Sequence, residues 1–205
     1  AFTIGALTKV DVTLNKTQVL ILSPTRELSV QTASVVSGIG NMIEGLVVAT
    51  MFGGAAFGYH VRTPHIICGC TGKVFDMFQR NKINGQSIKL LILDEADEML
   101  NMGFKDDIEF ILQNTPNRQS IWLFSATMPA EIRQVSKRYM DKPFEITIGK
   151  MNAGAANIDH QHYATQHHNR YEVLKRIIDF NPGIYGIVFA RTKADTQEIA
   201  ERLTR

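Results

Sequence analysis

Asp94-Glu95-Ala96-Asp97 follows directly on the apolar run Leu90-Leu91-Ile92-Leu93. A carboxylate at the end of a buried strand can hold a magnesium ion through water, and the ion can bridge nucleotide phosphates. A neighbouring acid can then orient or deprotonate an attacking water. The same acids would also serve as first-turn caps of a following helix, where negative charge is worth a few tenths to about 1 kcal/mol. Thirty-one residues after Asp94, the run Ile121-Trp122-Leu123-Phe124 ends in Ser125-Ala126-Thr127, whose hydroxyls are suited to couple the two strand ends. Neither hydroxyl reads as a nucleophile, because no glycine elbow surrounds it and no His stands nearby in sequence as a base.

Other strand-end residues suit a polyanion. Pro24-Thr25-Arg26-Glu27-Leu28 sets a hydroxyl, a guanidinium and free backbone amides at a helix start; a plain N-cap explains Thr25 equally well. Gly53-Gly54 permits close backbone approach, or marks an ordinary turn. Gly72-Lys73 stands at the start of the helix after Ile67, and Arg191-Thr192 ends a later apolar run. His160 and His162 would share one strand face, but without acidic or Cys company they read as structural or solvated, not as metal ligands.

The elements that must position these groups show in the apolar pattern. Val19–Leu22, Leu46–Thr50, His65–Cys68, Leu90–Leu93 and Ile121–Phe124 are short runs that do not alternate, as expected for strands buried on both faces of a parallel sheet. Helical spacing lies between them, at Phe104, Ile108, Ile111 and Leu112, and at Ile132, Val135 and Tyr139 after Pro129. The alternation predicts an α/β, doubly wound fold, with ligands outside the carboxyl ends of the strands. Residues 149–157 are small, polar and aperiodic, a linker between a first domain over 1–148 and the start of a second over 158–205. That second segment includes a helical stretch around Leu174, a run from Ile184 to Ala190 expected to be a buried strand, and a helix from about Lys193.

With 205 residues, 44% hydrophobic and 20% charged, the chain is too apolar for disorder. Two cysteines exclude a disulfide scaffold, and Cys68 and Cys70 are too close to bridge comfortably, which reads as a reducing, cytoplasmic setting. No apolar run approaches the length of a membrane span, and no signal pattern opens the chain, which begins at Ala1 like a fragment. A net charge of +2 leaves any nucleic-acid contact to local groups.

Taken in order, Pro24-Thr25-Arg26-Glu27-Leu28, Gly53-Gly54, Asp94-Glu95-Ala96-Asp97, Ser125-Ala126-Thr127 and Ile187-Val188-Phe189-Ala190-Arg191-Thr192 resemble the DEAD-box family of ATP-dependent RNA helicases. The resemblance implies two RecA-like domains that clamp ATP and single-stranded RNA and couple hydrolysis to local unwinding. By motif matching, Asp94 would hold Mg2+ and Glu95 would activate water, while Asp97, Ser125 and Thr127 would link hydrolysis to strand separation. Pro24, Thr25, Arg26, Gly54, Gly72, Lys73, Arg191 and Thr192 would grip the RNA sugar-phosphate backbone with little sequence preference. A non-catalytic RNA clamp and a DNA-directed ATPase are the competing readings. The family's Gly-rich phosphate loop, its adenine motif and its later second-domain motifs are not in these residues, which on their own are expected to turn over no ATP. Where the family usually shows Thr-Pro-Gly-Arg, this chain has Cys70-Thr71-Gly72-Lys73, and lysine lacks the bidentate fork of arginine.

Overall fold

The computed structural model describes residues 2–54, 62–148 and 158–204. The expected linker at 149–157 lies outside the described residues. The chain forms two compact units, Ala1–Asn152 and Ala153–Arg205.

In the first unit, strands β1 (Val19–Ser23), β2 (Val48–Met51), β3 (Ile66–Cys70), β4 (Leu90–Leu93) and β5 (Ser120–Leu123) form one sheet in the order β2-β3-β1-β4-β5. Every pairing is parallel, the doubly wound arrangement expected from the apolar runs. Successive side chains of a strand point to opposite faces, and here both faces are covered. Leu20 and Leu22 pack with Val74, Met99 and Ile108 on one face, whereas Val19 and Ile21 pack with Ala33 and Val36 on the other. Each strand position of β1 is therefore interior, which removes any polar alternation from the sequence. Burying one such Leu or Ile contributes about 1.5–3 kcal/mol.

Helices α1 (Phe2–Leu7) and α2 (Arg26–Ile39) cover one face; α3 (Thr71–Gln79), α4 (Ala96–Asn101), α5 (Lys105–Gln113) and α6 (Ala130–Tyr139) cover the other. In α2 the buried residues Ser29, Thr32, Ala33 and Val36 recur at helical spacing, and the helix stops at Gly40, whose N–H donates to the Val36 carbonyl. β5 differs from expectation in being only half-buried along its length, because it is the last strand of the sheet.

The second unit contains α7 (Arg170–Phe180) and α8 (Lys193–Thr204). The Tyr171 hydroxyl donates to the Arg202 carbonyl at 2.8 Å, and the Arg202 guanidinium lies 3.4 Å from the Tyr171 ring centroid. The expected buried strand at Ile184–Ala190 is corrected here: the segment forms no strand, and Tyr185 and Phe189 are fully or nearly fully exposed. Burial depends on neighbours as well as on hydrophobicity, and no described segment of this unit pairs with the run. His160 and His162 likewise lie on exposed chain and not on a strand.

Candidate active site

Because every strand is parallel, all five carboxyl ends lie along one edge, and strand order decides which loops are neighbours there. From β2, β3 and β1 come Gly53-Gly54, Cys70-Thr71-Gly72-Lys73 and Pro24-Thr25-Arg26. From β4 and β5 come Asp94-Glu95-Ala96-Asp97 and Ser125-Ala126-Thr127. The edge is thus divided into a glycine-rich, cationic part and an acidic, hydroxyl-bearing part. β1 connects through α2 towards β2, whereas β4 connects through α4 and α5 to β5 on the other side. The connection reverses between β1 and β4, and ligands of open parallel sheets sit outside such a reversal.

The acidic turn is anchored on both flanks. The Asp94 N–H donates to the Leu22 carbonyl of β1 at 2.9 Å, and the Ala96 N–H donates to the Phe124 carbonyl after β5 at 3.0 Å. Between them Glu95 takes left-handed backbone, φ 53° and ψ 52°. For a residue with a Cβ this costs about 1–3 kcal/mol and persists only when its surroundings enforce it. Burial pushes the Asp94 carboxyl above the usual range, against the pull of the Glu95 backbone N–H. Loss of hydration, then the charges of Asp94, Asp97 and Glu98, pushes Glu95 up as well.

Asp97 is the opposite case. Burial would raise its carboxyl, but hydrogen bonds from the Thr127 hydroxyl and from the Ser125 and Thr127 segment outweigh it and hold the group below the usual range. Asp97 Oδ2 accepts from Thr127 Oγ1 at 2.7 Å and from the Thr127 N–H at 2.9 Å, and the Asp97 N–H donates to Ser125 Oγ at 3.2 Å. Three bonds therefore tie the loop after β5 to the first turn of α4. A carboxylate with a depressed folded-state pKa contributes stability above its unfolded pKa, and that contribution is lost as pH falls through the folded value. Thr127→Val removes the stronger of the two Thr127 donors. The Asp97 titration, followed by NMR, is expected to move upward towards the ordinary carboxylate value.

On the cationic part, Thr25 caps α2: its hydroxyl oxygen accepts from the Leu28 N–H at 3.3 Å, which leaves its O–H free to donate. Arg26 is exposed, with its guanidinium 4.4 Å from the Phe52 ring centroid. Gly54 has φ 80°, a conformation that suits glycine, and no described atom lies within 4 Å of where a Cβ would stand. Gly72 and Lys73 lie in the first turn of α3, and Lys73 makes a surface ion pair with Asp76 at 3.4 Å, of the kind worth at most about 1 kcal/mol. Phe52 and Ser23 were not singled out by sequence reasoning. A Phe beside two glycines signals nothing without its Arg partner. Ser23 Oγ is buried at the end of β1 with no hydrogen-bond partner among the described residues. Arg191 and Thr192 are exposed in the second unit, where Thr192 Oγ1 accepts from the Asp195 N–H at the start of α8.

No described Lys or Arg forms an ion pair with Asp94, Glu95, Asp97 or Glu98. No three described His, Cys, Asp or Glu side chains converge as a metal cage. The half-buried Asp94 and the exposed Glu95, neither paired with a described Lys or Arg, fit a divalent ion that retains most of its water, as magnesium does.

The family model for DEAD/DEAH box helicase matches residues 1–135. Among curated proteins, the chain is 39% identical to an ATP-dependent RNA helicase DeaD of Mycobacterium tuberculosis, over 99% of this chain and 36% of that protein. It is 35% identical to the DEAD-box ATP-dependent RNA helicase CshA of Bacillus subtilis, over 99% and 42%. The chain thus spans well under half the length of these relatives. A crystal structure of a DEAD box protein from Methanococcus jannaschii superposes with a TM-score of 0.67 at 36% identity, over 99% of this chain and 55% of that one. S. cerevisiae Dbp5 bound to RNA and ADP BeF3 superposes with a TM-score of 0.80 at 25% identity, over 100% and 52%. The likeness in fold to these RecA-like neighbours and the family match over most of the first unit place this chain in the DEAD/DEAH box helicase family.

Proposed function

We propose that this chain carries the water-activating acids and the RNA-gripping loops of an ATP-dependent RNA helicase, whose turnover requires the full-length protein. The observation that carries the reading is the three-bond clamp from Ser125 and Thr127 to Asp97, beside the half-buried Asp94 and the exposed Glu95 at the reversal point of the sheet. Asp94 would hold Mg2+ through water, and the bound ion with ATP would supply charge neutralisation for phosphoryl transfer. The Glu95 carboxylate accepts the proton of the attacking water; its raised pKa makes it a better base than an ordinary glutamate. The clamp gives the loop after β5 and the start of α4 a shared position, so a shift at the acidic turn reaches α6 through Ser125–Met128.

Thr25, Arg26, Gly54, Gly72 and Lys73 lie on adjacent loops and offer backbone amides, a hydroxyl and two cations. These groups meet phosphates and sugars, not base edges, which gives single-stranded RNA binding with little sequence preference. Pro24 sets the entry to α2, and Arg191 with Thr192 adds contacts from the second unit. Both cysteines are free, and burial pushes the Cys68 thiol up to about 12, in keeping with action in a reducing cytoplasm. Among the described residues no helix is long and apolar enough to cross a membrane.

The test is phosphate release by the full-length protein with RNA or with DNA of the same sequence. RNA is expected to stimulate turnover at least tenfold more than DNA. Equal stimulation would make the enzyme a nucleic-acid ATPase without RNA preference. RNA binding without any turnover would make it a non-catalytic clamp.

A further inference from the structure

Thr71 stands where the family usually has proline, at the first position of α3. A proline there is pre-set for a helix start and has no side-chain donor. Here the Thr71 hydroxyl donates to Met99 Sδ at 2.9 Å, with both residues 0% exposed. Met99 belongs to α4, the short helix that begins at the acidic turn, and its own N–H donates to the Glu95 carbonyl at 3.1 Å. Two consecutive hydrogen bonds therefore run from Glu95 to the residue that precedes Gly72 and Lys73.

The chain of contacts continues on the other side. Cys70, which stands where the family usually has threonine, places Sγ 3.4 Å from Ser29 Oγ of α2. Ser29 in turn donates to the Thr25 carbonyl through Oγ at 3.0 Å and through its N–H at 3.1 Å. The path Glu95, Met99, Thr71, Cys70, Ser29, Thr25 is contiguous, and it joins the acidic turn to two of the three loops on the cationic part of the edge.

We infer that Thr71 and Met99 are positioning residues that transmit between the nucleotide side and the RNA side of the edge. The inference rests on the function proposed above. Packing alone does not account for the contact: a buried apolar side chain would fill the position without a hydroxyl, and thioether sulfur is a weak acceptor. What the bond adds is direction, since a shift of α4 along its axis must either break it or carry the first turn of α3 with it. Energetic coupling of this kind is demonstrated by its effect on two equilibria, not by proximity.

The experiment measures binding of a fluorescein-labelled oligouridine to the full-length protein by anisotropy, with and without Mg2+ and a non-hydrolysable ATP analogue. The ratio of the two dissociation constants is the coupling factor. Thr71→Val is expected to lower that factor about fivefold, with RNA affinity in the absence of nucleotide unchanged within twofold. Met99→Leu is expected to do the same, the double variant no more than either single one, and Thr71→Ser to keep the wild-type factor. A wild-type factor in both Thr71→Val and Met99→Leu would overturn the inference, as would an equal loss of RNA affinity with and without nucleotide. If Thr71→Val does not fold, Met99→Leu decides alone. A wild-type factor of one would overturn the helicase reading itself, and this inference with it, which separates the two failures.

Discussion

Glu95→Gln in the full-length protein is expected to lower RNA-stimulated phosphate release by roughly 100- to 10,000-fold, the usual contribution of a positioned general base. Affinity for RNA and for ATP should stay within about twofold, because the acid that would hold the cation is Asp94 and the gripping groups sit on other loops. Glutamine is the informative replacement. It keeps the volume and makes the same left-handed demand on the backbone, so the anchors from Asp94 to Leu22 and from Ala96 to Phe124 persist. Glycine would relax the backbone and alter the turn along with the chemistry. Stability discriminates further. A carboxylate whose folded-state pKa is raised disfavours the fold when ionised, so at neutral pH the amide should melt no lower than the parent. Turnover and binding lost together, or a lowered melting point, would assign Glu95 a structural role instead.

Much of this arrangement could be read from residue order alone. Four-residue apolar runs without alternation require cover on both faces, and Val19 to Leu22 divide between two cores as that requirement demands. The acidic turn and Ser125-Ala126-Thr127 were legible as strand endings, and hydroxyls facing an acid suggest a bond before any coordinates exist. Strand order was not legible. The β2-β3-β1-β4-β5 order, and with it the sorting of one edge into cationic and acidic parts, depends on which crossovers pass over β1. Contacts between loops distant in sequence were equally hidden: Arg26 against Phe52 and Thr71 against Met99 each join residues more than twenty positions apart. Ile184–Ala190 shows the limit in the other direction. Its composition is that of a core strand, yet burial is supplied by partners, and its described neighbours provide none.

Gly85→Ala is expected to destabilise the first unit by about 3 kcal/mol, the upper end of the cost of overpacking a core. For a chain of this size that corresponds to a melting point lower by roughly 6–12 °C. Asn84-Gly85 opens a short turn before β4, in which the Asn84 side chain accepts the Gln86 N–H at 3.0 Å. What the turn also does is pass directly against the end of α5. A Cβ on Gly85 would overlap the Asn114 carbonyl oxygen, and would come within 2.9 Å of the carbonyl carbon and 3.0 Å of the Phe78 ring. The first two are backbone atoms and cannot rotate away, so β4 or α5 must move. Gly45→Ala is the control: its φ of 80° makes alanine strained, but no described atom lies within 4 Å, so the cost should be only the left-handed penalty of about 1–2 kcal/mol. Thermal melts of the two variants should therefore differ clearly. Equal melting points would mean that α5 yields freely and that the register of β4, on which the acidic turn depends, is not held from this side.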